Sequence, residues 1–182
     1  MIDGISQRLL DQTHPLRIHL LGVAGSGMSG IAALLLEMGH DVSGSDRVTS
    51  GEIERLQGLG LKFSSPHSAA AVSGVDAVVY SSAIKPDNVA LVEARRIEVP
   101  CLRRAECLSA ILHTRKGVLV AGTHGKTTTS AMCAHVLNNA GAAVSHYVGA
   151  EIPVLGANAH WDEGSEYLVA EGDESDGTLD LY

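Results

Sequence analysis

Residues 121–130 read "AGTHGKTTTS" and follow the apolar run "GVLV", which is typical of a loop that holds phosphate. Gly125 lets the backbone curl so that N–H groups point inward, and Lys126 can then reach the β- and γ-phosphates of a nucleotide. The Thr127 hydroxyl can bind Mg²⁺. The full G-x-x-x-x-G-K-[ST] spacing is absent, because only two residues separate Gly122 from Gly125. A lysine and threonines that only cap a helix are the alternative interpretation.

A magnesium-nucleotide site also needs a carboxylate at the end of a neighbouring strand. The stretch "YLVAEGDESD" places Glu171 directly after an apolar run, on the same strand face as Tyr167 and Val169. Glu171 is therefore the predicted metal ligand beside Thr127. The acidic residues at 173–176 can equally form a solvated turn. His124 is predicted either to touch phosphate or to stabilise the loop.

A second glycine-rich turn, "GVAGSGMSG", lies near the start of the chain and follows the strand-like "RIHLLGV". Gly25, Gly27 and Gly30 satisfy G-x-G-x-x-G, whose glycines let a diphosphate approach the backbone at a helix N-terminus. Asp46 lies 16 residues past Gly30, where an acidic residue can reach a ribose hydroxyl. NAD, FAD and nucleotide-sugars all fit this pattern. Alternatively, the glycines only pack helix on sheet and Asp46 caps a helix.

The elements around both loops are apolar strand-like runs that alternate with helical patterns. This alternation predicts parallel βαβ units and a doubly wound sheet with ligands at the strand carboxyl ends. The pattern restarts after "HTRKG", so we place a domain boundary near residue 114. Residues 1–114 are predicted to form a Rossmann-like domain, and residues 115–182 the start of a P-loop-type α/β ATPase domain. The second unit is short for an independent core, and we expect it to be truncated.

Composition excludes several classes of protein. The 182 residues carry a formal net charge of −8, which argues against a nucleic-acid surface. No apolar run approaches the ~20 residues that span a membrane. The three cysteines are odd in number and share no C-x-x-C spacing, as expected of free thiols in a reducing compartment. No secretory signal opens the chain, and a cytoplasmic protein is predicted.

Taken together, these motifs resemble the Mur ligases of bacterial cell-wall synthesis. The matching stretches are "HLLGVAGSGMSGIA" (19–32), "VSGSD" (42–46), "SSAI" (81–84), "RRAE" (103–106), "AGTHGKTTT" (121–129) and "AEGDESDGTL" (170–179). The resemblance implies a three-domain enzyme with a Rossmann-like domain for UDP-N-acetylmuramate, a central ATPase domain and a C-terminal domain for the amino acid. The glycine in "AEGDE", where the family commonly has alanine, is a mild departure.

The resemblance also implies a role for individual residues. The UDP-sugar diphosphate would contact Gly25, Ser26, Gly27, Met28 and Ser29. Asp46 would hold the uridine portion, and Ser81, Ser82 and Arg104 would line the same site. ATP would bind at Gly122, Thr123, His124, Gly125, Lys126, Thr127 and Thr128. Lys126 would be the catalytic residue, and Thr127 and Glu171 would hold Mg²⁺.

The implied reaction is ATP-dependent formation of an amide between L-alanine and UDP-N-acetylmuramate through an acyl phosphate. Three alternatives remain: the murein-peptide recycling ligase of the same family, a nicotinamide-dependent oxidoreductase that would use the first loop alone, and a non-catalytic regulatory binding module. We expect these 182 residues to have no ligase activity by themselves, because the family's C-terminal domain and most of the ATPase sheet lie beyond Tyr182.

Overall fold

The computed structural model describes residues 14–172 and 181–182, which form two β-sheets with helices packed on them. In the first sheet five parallel strands run in the order β3-β2-β1-β4-β5. Their bounds are β1 Arg17–Leu21, β2 Asp41–Ser45, β3 Lys62–Ser64, β4 Ala77–Tyr80 and β5 Cys101–Arg103. The predicted α/β class with a Rossmann-like parallel sheet is thereby confirmed.

Helices cover both faces of this sheet. They are α1 Ser26–Glu37, α2 Gly51–Gly58, α3 Val89–Arg96 and α4 Arg104–Leu112, with a short 3-10 helix at Ala69–Val72. On β1, Ile18 and Leu20 join the core under α1, whereas Leu21 joins the core under α3. Burial on both faces explains why β1 has apolar residues that point to each side of the sheet.

The second sheet contains four strands in the order β6-β9-β7-β8. Their bounds are β6 Lys116–Val120, β7 Val144–Tyr147, β8 Ala159–His160 and β9 Tyr167–Glu171, and helix α5 spans Lys126–Asn139. Strand β8 runs antiparallel to β7, and the other pairs are parallel. The sequence did not predict β8, because two residues are too few for a hydrophobic period to appear.

Helix α1 lies between the two sheets and is buried on both sides. Its residues Ala32 to Leu35 are fully buried, as expected of a helix that is apolar all round. One face packs on the first sheet, and the other packs against Tyr147, Ala159 and Trp161 in a single continuous core. The second sheet thus buries apolar surface against α1, surface that the short second unit could not cover by itself.

Within the part of the chain that the structure describes, none of the helices combines the length and apolarity needed to cross a lipid bilayer.

Candidate functional site

The first glycine loop joins β1 to α1 and ends in an uncapped helix N-terminus. Gly22 has a φ of 84°, a left-handed conformation that favours glycine. Gly25 is the N-cap of α1, no side chain caps the helix, and its first turn carries no acidic residue. The first N–H groups of a helix have no intrahelical partner. This turn therefore offers backbone donors and a positive helix end to an anion.

A cleft of about 680 Å³ opens beside this loop, at the carboxyl ends of β1, β2 and β4. In the strand order of this sheet, β1 and β4 flank the point where the winding reverses, which is the usual ligand position in such folds. The lining residues are Gly22, Ala24, Gly25, Asp46, Arg47, Val48, Pro66, His67, Ser81, Ala83, Ile84, Lys85, Asp87, Asn88 and Val89. Gly25, Asp46 and Ser81 are the predicted residues that line it.

Other predicted residues of the first site lie beside the cleft rather than on its walls. The Met28 side chain is part of the apolar core, and Ser29 is fully buried. Ser29 Oγ donates to Ser26 O at 2.9 Å and accepts from Asn158 Nδ2 at 3.0 Å. At Met28 and Ser29, therefore, only backbone groups face the phosphate position. Ser82 is exposed and lies outside the cleft lining.

Arg104 packs against the first turn of α1. A Cβ on Gly27 would lie 2.6 Å from Arg104 Nη1 and 3.1 Å from Tyr147 Oη, so both side chains approach the backbone of this glycine closely. Tyr147 Oη donates to Gly27 O at 3.0 Å and also hydrogen-bonds to Arg104. Arg104 therefore brings a positive charge next to the helix N-terminus, on the side that faces the second unit.

Asp46 folds back onto the backbone at the end of β2. Its Oδ2 accepts from Ala24 N at 2.9 Å, and its Oδ1 accepts from Arg47 N at 2.6 Å and Val48 N at 3.4 Å. These contacts fix the carboxylate at the cleft wall and tie β2 to the glycine loop. They also occupy most of its lone pairs, since each carboxylate oxygen has about two acceptor positions.

The second glycine loop joins β6 to α5 and repeats the pattern of the first. Gly125 is the N-cap of α5 with a φ of 79°, and α5 has neither a side-chain cap nor an acidic residue in its first turn. Lys126 Nζ donates to Gly122 O at 2.8 Å, across the loop. Thr123, His124 and Thr128 are exposed. The loop therefore offers uncapped N–H groups and one ammonium to an anion.

The predicted magnesium ligands meet at the carboxyl end of the second sheet. Strands β6 and β9 are neighbours, so the loop after β6 lies beside the end of β9. Thr127 Oγ1 donates to Glu171 Oε2 at 2.9 Å, and Gly149 N donates to the same oxygen at 2.8 Å. The pair therefore brings a hydroxyl and a carboxylate together, and Mg²⁺ prefers oxygen ligands of this kind.

Among the described residues, no group of three or more histidine, cysteine or acidic side chains could hold a metal. Mg²⁺ commonly binds one or two protein ligands together with waters and substrate phosphates. The acidic residues at 173–176 lie outside the described residues.

Four residues that the sequence reasoning did not select belong to these sites. His67 lines the cleft, Tyr147 and Asn158 contact the first turn of α1, and Gly149 N holds Glu171. The signal for His67 was a histidine after "SSP" near the end of β3. For Tyr147 and Asn158 no local signal exists, because their partners lie 120 and 132 residues away.

Comparison with known proteins identifies the family of this chain. The profile described as "Mur ligase family, catalytic domain" matches residues 17–116, more than half of the chain. This chain belongs to the Mur ligase family. The match covers the first sheet and ends at the first residue of β6.

Relatives extend the similarity through the second loop. The chain is 48% identical over 163 residues to the UDP-N-acetylmuramate–L-alanine ligase of Anaeromyxobacter dehalogenans (strain 2CP-1 / ATCC BAA-258), covering 90% of this chain and 35% of the relative. It is 46% identical to the ligase of the same name from Xanthomonas campestris pv. campestris (strain B100), covering 90% and 34%. The chain thus spans about a third of the length of these curated relatives.

Solved structures of the family share the fold. The UDP-N-acetylmuramate-alanine ligase MurC of Thermotoga maritima superposes with a TM-score of 0.78 at 33% identity, covering 86% of this chain and 36% of that one. The UDP-N-acetylmuramate:L-alanyl-gamma-D-glutamyl-meso-diaminopimelate ligase (MPL) of Neisseria meningitides gives 0.82 at 30% identity, covering 90% and 54%.

Proposed function

We propose that this chain is part of an ATP-dependent ligase that joins L-alanine to UDP-N-acetylmuramate. The names of the relatives at 46% and 48% identity support this reaction. The observation that carries the proposal is the Thr127–Glu171 pair beneath an uncapped helix N-terminus, because it fits a magnesium-nucleotide. A nicotinamide-dependent oxidoreductase would leave this second loop without a role.

ATP would bind at the second loop. Lys126 and the N–H groups that follow Gly125 would hold the phosphates, with Gly122, Thr123, His124 and Thr128 forming the remainder of the loop. Mg²⁺ bound by Thr127 and Glu171 would neutralise charge on the transferring phosphoryl group. Phosphoryl transfer depends mainly on positioning and electrostatics, so a lysine and two oxygen ligands provide the expected chemistry.

UDP-N-acetylmuramate would bind at the first loop. The diphosphate would lie at the first turn of α1 (Gly25 to Ser29), with Arg104 as its nearby cation and Ser81 and Ser82 at the rim. Asp46 would face the nucleoside. The Tyr147 hydroxyl, which donates to Gly27 O, would join this site to the unit that binds ATP.

The reaction would proceed in two steps. A carboxylate oxygen of UDP-N-acetylmuramate attacks the γ-phosphorus of ATP, the bond to the β-γ bridging oxygen breaks, and ADP leaves. The L-alanine amine then attacks the acyl carbon, phosphate leaves, and the amine loses a proton. Phosphorylation is needed because a carboxylate is otherwise a poor acyl donor.

The murein-peptide ligase is the second candidate. The TM-score of 0.82 with the Neisseria MPL favours it, whereas the 46–48% identity favours the L-alanine ligase. The two candidates share the UDP-N-acetylmuramate and ATP sites and differ in the amine that they accept. A ligase assay on a longer protein containing this chain, with L-alanine or a peptide as acceptor, would separate them.

Calorimetric titration of this chain with UDP-N-acetylmuramate and with NAD tests the first site. We expect binding of the UDP-sugar, abolished by excess UDP, and none of NAD. Binding of NAD without binding of the UDP-sugar would overturn the proposed function.

A further inference from the structure

Tyr147, the last residue of β7, packs tightly against the first turn of α1. Its side chain is 2% exposed, and a Cβ on Gly30 would lie 2.8 Å from its Cε2 atom. Its hydroxyl donates to Gly27 O at 3.0 Å and also hydrogen-bonds to Arg104. The ring and the hydroxyl of this one side chain therefore fix a strand of the second sheet against the uncapped end of α1.

The Tyr147 hydroxyl is influenced by charges from both candidate sites. Burial raises the pKa of Tyr147, Arg104 of the first site lowers it, and Glu171 of the second site raises it. Because the net shift is upward from the ordinary tyrosine value, the phenol stays protonated near pH 7. The hydroxyl therefore remains a donor to Gly27 O.

The two residues that follow Tyr147 lead to the second candidate site. Val148 is 1% exposed, and Gly149 N donates to Glu171 Oε2 at 2.8 Å. A Cβ on Gly149 would lie 2.6 Å from the same oxygen, so the backbone and the carboxylate are in close contact. Two residues of extended chain span no more than about 7 Å. A short, mostly buried piece of chain therefore joins the first turn of α1 to the predicted magnesium ligand.

Asn158 fastens the same piece of chain to the same helix end. Its carbonyl accepts from Val148 N at 2.8 Å, and its Nδ2 donates to Ser26 O at 3.0 Å. Asn158 is 5% exposed. Two side-chain contacts, from Tyr147 and from Asn158, thus connect segment 147–149 with the first turn of α1. We expect the segment and the turn to keep a fixed relative position.

The proposed reaction depends on the distance between the two bound ligands. A carboxylate oxygen of the ligand at the first loop must approach the γ-phosphorus of the nucleotide at the second loop. Reacting atoms need to lie about 3–3.5 Å apart, and a misplacement of about 1 Å can lower a rate on the order of 100-fold. Groups that fix one site relative to the other can therefore determine the rate without touching either ligand.

We propose that Tyr147 is a positioning residue for phosphoryl transfer. Its hydrogen bond to Gly27 O fixes the first turn of α1, together with the UDP-sugar bound there, relative to Glu171 and the magnesium-nucleotide. The inference rests on the proposed function, because it needs one ligand at each loop. It gives a buried hydroxyl outside both loops a role in the rate of the reaction.

Tyr147→Phe tests the positioning role, because it removes the hydroxyl and keeps the packed ring. The measurement is the rate of the first turnover of ADP formation by a longer ligase that contains this chain, at saturating ATP, UDP-N-acetylmuramate and amine. We expect the variant to be slower by at least about 5-fold, since the reacting atoms are less well aligned. A smaller decrease would overturn the inference.

Calorimetric titration of this chain separates positioning from binding. Tyr147→Phe should bind UDP-N-acetylmuramate and Mg-ATP each within about 2-fold of the unmodified affinity, as expected when only the reacting geometry is changed. Retained affinity for both ligands also shows that the variant is folded. A decrease in either affinity as large as the decrease in rate would mean that Tyr147 supports a binding site or the fold, and would overturn its positioning role.

Tyr167→Phe is the matched control, since it removes a tyrosine hydroxyl from the same sheet at the opposite end of β9 from Glu171. It should leave the rate and both affinities unchanged, and a decrease in rate equal to that of Tyr147→Phe would overturn the inference. If the unmodified ligase formed no ADP in response to UDP-N-acetylmuramate, the proposed function and this inference would both fail. If the unmodified ligase and Tyr147→Phe were equally active, only the inference would fail.

Discussion

At the scale of single residues, individual glycines of the two loops are needed for different physical reasons. Gly125 has a φ of 79° and no neighbour within 4 Å of a built Cβ, so its requirement is conformational. Gly27 and Gly30 have no such φ, but a Cβ on either would lie under 3 Å from a neighbouring side-chain atom. A glycine motif in sequence therefore indicates that a loop is tight without showing whether backbone conformation or packing requires it.

Lys126→Ala tests whether the two loops hold different ligands. Lys126 would make a charge-assisted contact to ATP, so its loss should weaken Mg-ATP binding about 10- to 100-fold. UDP-N-acetylmuramate affinity should change less than about 2-fold, because Lys126 begins helix α5, which packs on the other sheet. Calorimetric titration with Mg-ATP and with UDP-N-acetylmuramate measures the two affinities.

Lys116→Ala is the control for that variant. Lys116 begins β6, and its Nζ is 2.8 Å from Glu166 Oε2 in an exposed pair of little energetic weight. The Lys116→Ala variant should bind Mg-ATP and UDP-N-acetylmuramate with the affinities of the unmodified chain. Loss of UDP-sugar binding in Lys126→Ala would contradict the proposal that the two loops bind different ligands.

The sequence could predict the described strands other than β8, both glycine loops and the proximity of Thr127 to Glu171, because each depends on local periodicity or on the rule that parallel strands end at the same edge of a sheet. It could not predict the Tyr147–Gly27 or Asn158–Ser26 contacts. Those depend on how two sheets dock, which no local pattern encodes. His19, Ser43 and Ser45 were visible as polar residues in strands, but only the register of β1 against β2 brings them together.

At the scale of elements, α1 links the two units. Its first turn faces the cleft, its middle packs on both sheets, and its last residue, Glu37, accepts a hydrogen bond from Trp161 N. Segment 147–149 runs from Tyr147, which bonds to Gly27 O, to Gly149, whose N–H holds Glu171. A short stretch of β7 and its following loop therefore touches both candidate phosphate sites.

Gly30→Ala tests the packing of this helix. Helix propensity alone favours alanine by about 1 kcal/mol. In the structure, however, a Cβ at residue 30 would lie 2.8 Å from Tyr147 Cε2, in a ring that is 2% exposed. Overpacking of this kind costs about 1–3 kcal/mol. We expect a net decrease in the free energy of unfolding, measured by urea denaturation.

Gly58→Ala in α2 is the matched control, since nothing lies within 4 Å of its built Cβ. It should be neutral or slightly stabilising. If Gly30→Ala stabilised the chain as much as Gly58→Ala, the close contact between α1 and β7 would be contradicted.

At the scale of the whole molecule, a histidine–carboxylate pair joins the two units. His160 Nδ1 is 3.2 Å from Glu37 Oε2, which joins β8 to the end of α1. The hydrogen bond to Glu37 raises the pKa of His160, and burial opposes it. For Glu37, burial raises the pKa, but the contacts with His160 and Trp161 N outweigh it, so the net shift is downward. Both shifts favour the charged pair in the folded state.

The pH range of this stabilisation follows from the two shifts. The His160 contribution is fully present below the ordinary histidine pKa of 6.5 and is lost as the pH rises through the raised value. The Glu37 contribution is present above 4.5 and is lost as the pH falls through its lowered value. The pair should therefore stabilise the docked units most between about pH 4.5 and 6.5.

His160→Gln tests this pair by difference, which cancels titrating groups that do not interact with residue 160, such as buried His19. We expect the variant to lose more stability relative to the unmodified chain at pH 5.5 than at pH 8. The fluorescence emission of Trp161 reports the loss of stability during unfolding, because Trp161 is the chain's single tryptophan and is 5% exposed at this interface. Glu37→Gln should give the same pH profile, since it removes the other half of the pair. An equal loss at both pH values would mean that residue 160 contributes to docking by contact alone, independently of its charge.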